Sequence, residues 1–259
     1  MTHAWNTAPR KTVRVLCLLT LIGALATPLL SHAQWIDSTR HVDGELWNSI
    51  RLDFELNKRW ELKTDHQLRT KTYSTEIDRF QTEATLEYRP MDQLTLGAAG
   101  RYFLRNDNEG AVQGFEHLIR FHIEAEWTSD LDRLTVKQRF RYQHQNQLGQ
   151  SREEGDYPQQ AYRYKLSFDY DIPNWKWDPT IGAELFYQQE RGEINGFRRF
   201  RLICGVEKKL PGPNKLDLGY MYEQQKDLWR PRMTHIAVVK FSHNFKRKKK
   251  KEEQPGTEG

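Results

Sequence analysis

The chain has 259 residues, of which 29% are charged and 37% hydrophobic, with a formal net charge of +5. Its first 33 residues hold three of those positive charges and the last fourteen a net three more, which leaves −1 for everything between. That balance argues against a nucleic-acid partner for the folded part, and no apolar run near twenty residues follows position 33, which excludes a transmembrane helix there.

Residues 1–33 read as a signal peptide. Arg10, Lys11 and Arg14 form a basic start, Val15 to Leu30 is apolar, and Ser31-His32-Ala33 supplies the small residues of a cleavage site. Cleavage after Ala33 leaves Cys204 as the single cysteine, so neither an intramolecular disulfide nor a cysteine-based zinc site is available.

Beyond the leader, apolar and charged residues alternate in one run after another. Leu52, Phe54 and Leu56 interleave with Arg51, Asp53 and Glu55, and Phe80, Thr82, Ala84, Leu86 and Tyr88 with Gln81, Glu83 and Glu87. A period of two means a β-strand with one apolar and one polar face. Runs of ten to twelve residues have the length of a tilted strand crossing a bilayer. Eleven such segments follow in order: 46–56, 60–69, 78–88, 94–104, 115–127, 134–145, 161–171, 180–189, 197–209, 215–225 and 234–245. The expected fold is all-β, an antiparallel transmembrane β-barrel over residues 34–245, because open strand edges cannot be satisfied in lipid.

The connections alternate between short and long, as between periplasmic turns and external loops. Asn57-Lys58-Arg59 and Pro211 to Asn214 are short, and Asn146 to Gln159 is the longest. This puts both the first and the last segment in the downward direction. An even strand count then requires one more upward strand from Trp35 to Val42, turned at Asp43-Gly44. Twelve strands are expected, with ten to fourteen compatible. Trp47, Trp60, Trp127, Trp175, Trp177 and Trp229 fall near segment ends, where an aromatic girdle would sit at the lipid headgroups. Phe245 ends the last segment in the manner of an outer-membrane assembly signal. Residues 246–259, basic and then Pro/Gly-rich, read as a disordered periplasmic tail.

The polar phase is dense in charge. Arg120, His122, Glu124, Lys137, Arg139 and Arg141 are candidates for ion pairs in the lumen. With Trp127 facing Leu134, Glu124 would lie opposite Lys137. Charges confined in a lumen have to pair, since an unpaired one is expensive, so a charge-filled barrel is expected. Catalytic chemistry has little support. Asp65-His66 are adjacent and so point to opposite faces, and there is no Gly-x-Ser-x-Gly, metal-ligand spacing or phosphate loop. No catalytic, cofactor or metal residue is expected.

Trp60-Glu-Leu-Lys-Thr-Asp-His-Gln-Leu-Arg69, then Leu94-Thr-Leu-Gly97 through Gly100-Arg101-Tyr102, resembles a family of bacterial outer-membrane barrels known only as a domain of unknown function (number 2490). The arginine-rich hairpin around Arg120 and Arg139–Arg141 fits it too. The resemblance implies a barrel and an outer-membrane location, with no activity or functional residues to transfer. The expected partners are outer-membrane lipid and the assembly machinery, with a structural or loop-mediated binding role. A small-solute pore and, less favoured, a barrel enzyme are the alternatives.

Overall fold

The structure is a computed structural model that describes residues 41–108, 113–149, 158–189, 195–226 and 231–245. The leader, the stretch 35–40, Trp229 and the tail 246–259 lie outside the described residues. The eleven strands are β1 (His41–Glu55), β2 (Trp60–Lys71), β3 (Glu76–Met91), β4 (Leu94–Asp107), β5 (Gly114–Leu131), β6 (Leu134–Gln147), β7 (Gln159–Tyr170), β8 (Trp177–Gln189), β9 (Gly196–Lys209), β10 (Asn214–Gln225) and β11 (Arg232–Phe245). Each pairs antiparallel with its neighbours in sequence, and β1 pairs with β11 to close the barrel.

That closure is parallel, running from His41↔Arg232 to Phe54↔Phe245. Among the described residues the barrel therefore has eleven strands and a mixed sheet, inside the expected range and one short of the expected twelve. The parity argument fails because β11 bonds directly to β1, so neither strand offers an edge for another. Asp43-Gly44 is not a turn but lies within β1. The Asp43 carboxylate instead accepts hydrogen bonds from the backbone of Gly44 (2.7 Å), Tyr73 (3.0 Å) and Thr72 (3.3 Å) and from Arg232 (2.7 Å). It thus anchors the β2–β3 turn, where Thr72, Tyr73 and Ser74 all have positive φ (53°, 53°, 66°), a costly conformation for non-glycine residues.

Five turns of two to six residues cluster at one end of the barrel. Asn57 shapes the first: its side-chain oxygen accepts the Arg59 and Trp60 amides at 2.8 and 3.0 Å, an Asx turn. The other end carries the four-residue β2–β3 turn and four connections of six to eleven residues. These are called the turn end and the loop end below.

Polarity is inverted relative to a soluble protein. Ile50, Phe121, Ile123, Phe140, Ile181 and Phe197 are more than half exposed on the outer face, while Glu83, Glu184, Arg141 and Arg201 are buried inside. An outer aromatic row crosses four strands, Tyr142–Tyr162–Tyr187–Phe197, with centroids 5.2, 6.4 and 5.4 Å apart. Trp60 packs on Tyr88 at 4.7 Å and Trp127 faces out. Trp177, on the phase opposite the interior Asp178, lies over Lys208, and Trp175 is exposed in the β7–β8 turn. Phe245 stacks flat on Phe54 at 4.7 Å and fastens the seam. Trp47 departs from the girdle: it is 6% exposed and faces inward, because it shares its phase with Glu45, Ser49 and Arg51.

Candidate functional site in the barrel lumen

The polar phase of every strand points into the lumen, and its charges form a layered lattice. Glu184 on β8 is the hub. Its carboxylate meets Arg163 (2.7 Å), Arg139 (3.2 Å) and Arg201 (3.5 Å) from β7, β6 and β9. Glu223 on β10 takes Arg201 (2.5 Å) and Arg199 (3.4 Å). Glu124 on β5 takes Arg141 (2.6 Å) and Arg139 (3.7 Å), Glu83 takes Arg101, and Asp65 takes Arg51 (3.3 Å). This is a belt of charge-assisted hydrogen bonds around mid-barrel, each carboxylate shared where guanidinium forks can reach it.

All six lumen candidates from the sequence point inward, with partners that register decides. β5 continues to Leu131 and pairs there with Leu134, across a turn of only Asp132 and Arg133. The expected turn over 128–133 is thus mostly strand, because Asp132 accepts a left-handed φ of 63°. Trp127 faces Gln138 instead of Leu134. The shift is four residues, an even number, so every side chain keeps its face and changes its partner. Glu124 therefore pairs with Arg141, and Lys137 with Asp169 at 3.0 Å. Arg120 reaches Gln145 at 3.0 Å. His122 is 3% exposed, 3.8 Å from Glu83, and neither ring nitrogen has a hydrogen-bond partner among the described residues. Gly97 makes room for this arrangement, since a Cβ there would sit 2.9 Å from the Glu124 side chain. Asp65 and His66 separate as expected: the first faces Arg51, the second bonds Thr82 on the outer face at 3.1 Å.

Two cavities flank the belt. The turn-end cavity, about 730 Å³, is lined by balanced pairs such as Lys240–Asp217 (2.7 Å) and Lys215–Glu207 (2.9 Å). The loop-end cavity, about 520 Å³, is dominated by arginine and glutamine and contains three inward aromatic rings, Trp47, Phe103 and Phe186. Guanidinium groups lie over those rings: Arg69 over Trp47 at 3.5 Å, Arg120 over Phe103 at 4.6 Å and Arg163 over Phe186 at 4.4 Å. Such cation–π contacts hold an arginine in place without neutralising it. Sequence reasoning missed these rings, although each sits on the charged phase: Phe103 between Arg101 and Arg105, Phe186 between Glu184 and Gln188. Among the described residues, no group of three His, Cys, Asp or Glu is arranged to hold a metal ion.

No curated protein matches the chain. Among solved structures, the β domain of the Bordetella autotransporter Brka matches with 15% identity over 68% of this chain and 79% of that one, at a TM-score of 0.45. The model of a family described as proteins of unknown function, DUF2490, matches residues 44–234. Because that match spans well over half of the chain, the chain belongs to the DUF2490 family.

Proposed function

We propose that this chain is a barrel of the outer membrane of a Gram-negative bacterium, exported by a cleaved signal peptide, which works as a binding protein at its loop end. The observation that carries this reading is the ion-pair belt around Glu184, Glu223, Glu124 and Glu83 between two cavities. It supports a lumen closed at mid-barrel, with a chamber left on the side of the longer connections. Loops on a rigid scaffold commonly carry recognition. The inverted polarity supports the membrane setting, since outward apolar side chains and an inward polar lattice are what lipid on one side and water on the other select.

The chamber volumes favour one second reading, a small-solute pore in which the belt is a selectivity constriction. Planar-bilayer recording on refolded protein separates the two. Electrical silence is expected; steady ohmic steps would establish the pore instead. The orientation has its own test. An epitope placed within 150–157 should bind antibody on intact cells, and one placed after Phe245 should bind only after permeabilisation. The reverse pattern overturns the orientation.

A further inference from the structure

The loop-end cavity is more cationic than the barrel needs. Fourteen arginine and lysine side chains line it against only Glu45, Asp65, Glu83 and Glu223. Six more carboxylates, Asp43, Asp78, Glu116, Glu124, Glu184 and Asp217, pair with those cations from beyond the lining. Among the described residues, counting them all and leaving Arg198 aside, the cations exceed the carboxylates by three. The turn-end cavity has ten cations and ten carboxylates, so the excess is local to one half of the lumen.

Register makes the excess sharper. Arg69, Arg79 and Arg105 occupy directly facing positions across β2, β3 and β4, and Arg101 faces Arg120 across β4 and β5. Like charges directly opposite each other destabilise a sheet. Arg79 and Arg105 have Asp78 and Glu116, and Arg101 has Glu83. Arg69 and Arg120 have no carboxylate within ion-pair distance among the described residues. Each is held by a ring beneath it and by one glutamine: the Arg69 Nε donates to Gln67 Oε1 at 2.6 Å, and the Arg120 Nε to Gln145 Oε1 at 3.0 Å. Among the described residues, both terminal nitrogens of Arg69 and the Arg120 Nη1 have no hydrogen-bond partner. Two guanidinium groups are thus fixed in orientation and left charged, in a chamber of a size that ordinarily takes a small molecule.

The geometry points to a binding site for a small soluble anion carrying two or more phosphate or carboxylate groups, with Arg69 and Arg120 as its principal ligands. Guanidinium forks match such oxyanions bidentately. The neighbouring Gln143 and Gln145, whose side-chain oxygens accept from Arg163 and Arg120, present their amide groups as neutral donors for the remainder of the molecule. A lipid headgroup does not fit, because its acyl chains would have to enter a lumen lined by charge. A bound anion offsets the repulsion between the facing arginines.

The site deepens the reading of the loop end as the ligand-receiving face and rests on it. It is tested in detergent micelles, where orientation plays no part, so a failed site and a failed orientation are told apart. Full-length refolded protein is titrated calorimetrically with inorganic tripolyphosphate and with citrate, at low and at physiological salt. At least one probe should bind saturably, and more weakly at the higher salt. The double variant R69Q/R120Q should bind at least about tenfold more weakly, the value of one lost charge-assisted contact. A turn-end control, K209Q/K215Q, should bind as wild type does. Without ligand, R69Q/R120Q should resist urea better than wild type, because it loses like-charge repulsion. A purely structural pair of arginines would leave it weaker. If that variant does not fold, R69K/R120K keeps the charge and loses the fork, and it too should bind more weakly. No saturable binding of either probe to wild type, equal loss in the turn-end control, or undiminished binding in the lysine variant each overturns the assignment.

Discussion

Glu184 shows what one buried carboxylate does in this lumen. It is 3% exposed and has three guanidinium groups within 3.5 Å. Removing one partner of a buried ion cluster costs more than the cluster contributes, because the remaining charges stay desolvated. Glu184→Gln keeps the shape and removes the charge, so it should destabilise the barrel by about 3–5 kcal/mol, measured by urea unfolding in lipid vesicles. Lys209, paired with Asp178 at 3.4 Å but 70% exposed, is the contrast. Lys209→Ala should shift the midpoint by no more than about 1 kcal/mol. Equal effects at the two sites would mean that water fills the lumen and screens Glu184.

Register, at the level of strands, decides which charges meet. The β5–β6 hairpin joins Glu124 to Arg141 and not to Lys137. Reversing both charges, E124R with R141E, should recover part of the stability lost in either single reversal, with a coupling of about 0.5–3 kcal/mol. The pair E124K with K137E should show coupling near zero in the same double-mutant cycle. The seam between β1 and β11 is the other element-scale test. Asn48 and Val239 are direct partners there and both face out. Paired strands lie about 5 Å apart, within disulfide range. In a Cys204→Ser background, Asn48→Cys with Val239→Cys should crosslink under mild oxidation and alter electrophoretic mobility. An additional N-terminal strand inserted between β1 and β11 would separate the two thiols and prevent the bond.

The inverted polarity of the whole molecule makes the bilayer part of its stability. Leu86 lies on the outer face midway along β3, opposite Leu62 and Ala98. An arginine there should cost about 2–4 kcal/mol when the barrel folds into vesicles, the value for a charge near the bilayer midplane. The adjacent Glu87 faces in and bonds Lys63 at 2.8 Å, and Lys63 also has Glu61 at 3.6 Å. Glu87→Gln should therefore cost less than Leu86→Arg. Equal tolerance of the two changes would contradict a lipid-facing outer surface.

Alternation by itself determined the β class, the strand positions and the face of nearly every side chain, since a period of two depends only on local backbone geometry. It placed Arg120, His122, Glu124, Lys137, Arg139 and Arg141 in the lumen, and a four-residue error in the hairpin register left those faces unchanged. The partners of the same residues were decided only by the tertiary structure. Pairing depends on where a turn such as Asp132-Arg133 falls, and that turned on the left-handed φ of a single aspartate. Closure was likewise beyond local reading: whether β1 meets β11 in parallel is a property of two segments nearly two hundred residues apart. Asp43 looked like a turn residue because Asp-Gly favours turns, yet its carboxylate is used by the distant backbone of Thr72 and Tyr73. Trp47 looked like a girdle residue from its nearness to a strand end, but its phase turns it under Arg69. The excess of arginine in one half of the lumen was invisible along the chain, because those side chains come from nine different strands and only the closed barrel gathers them.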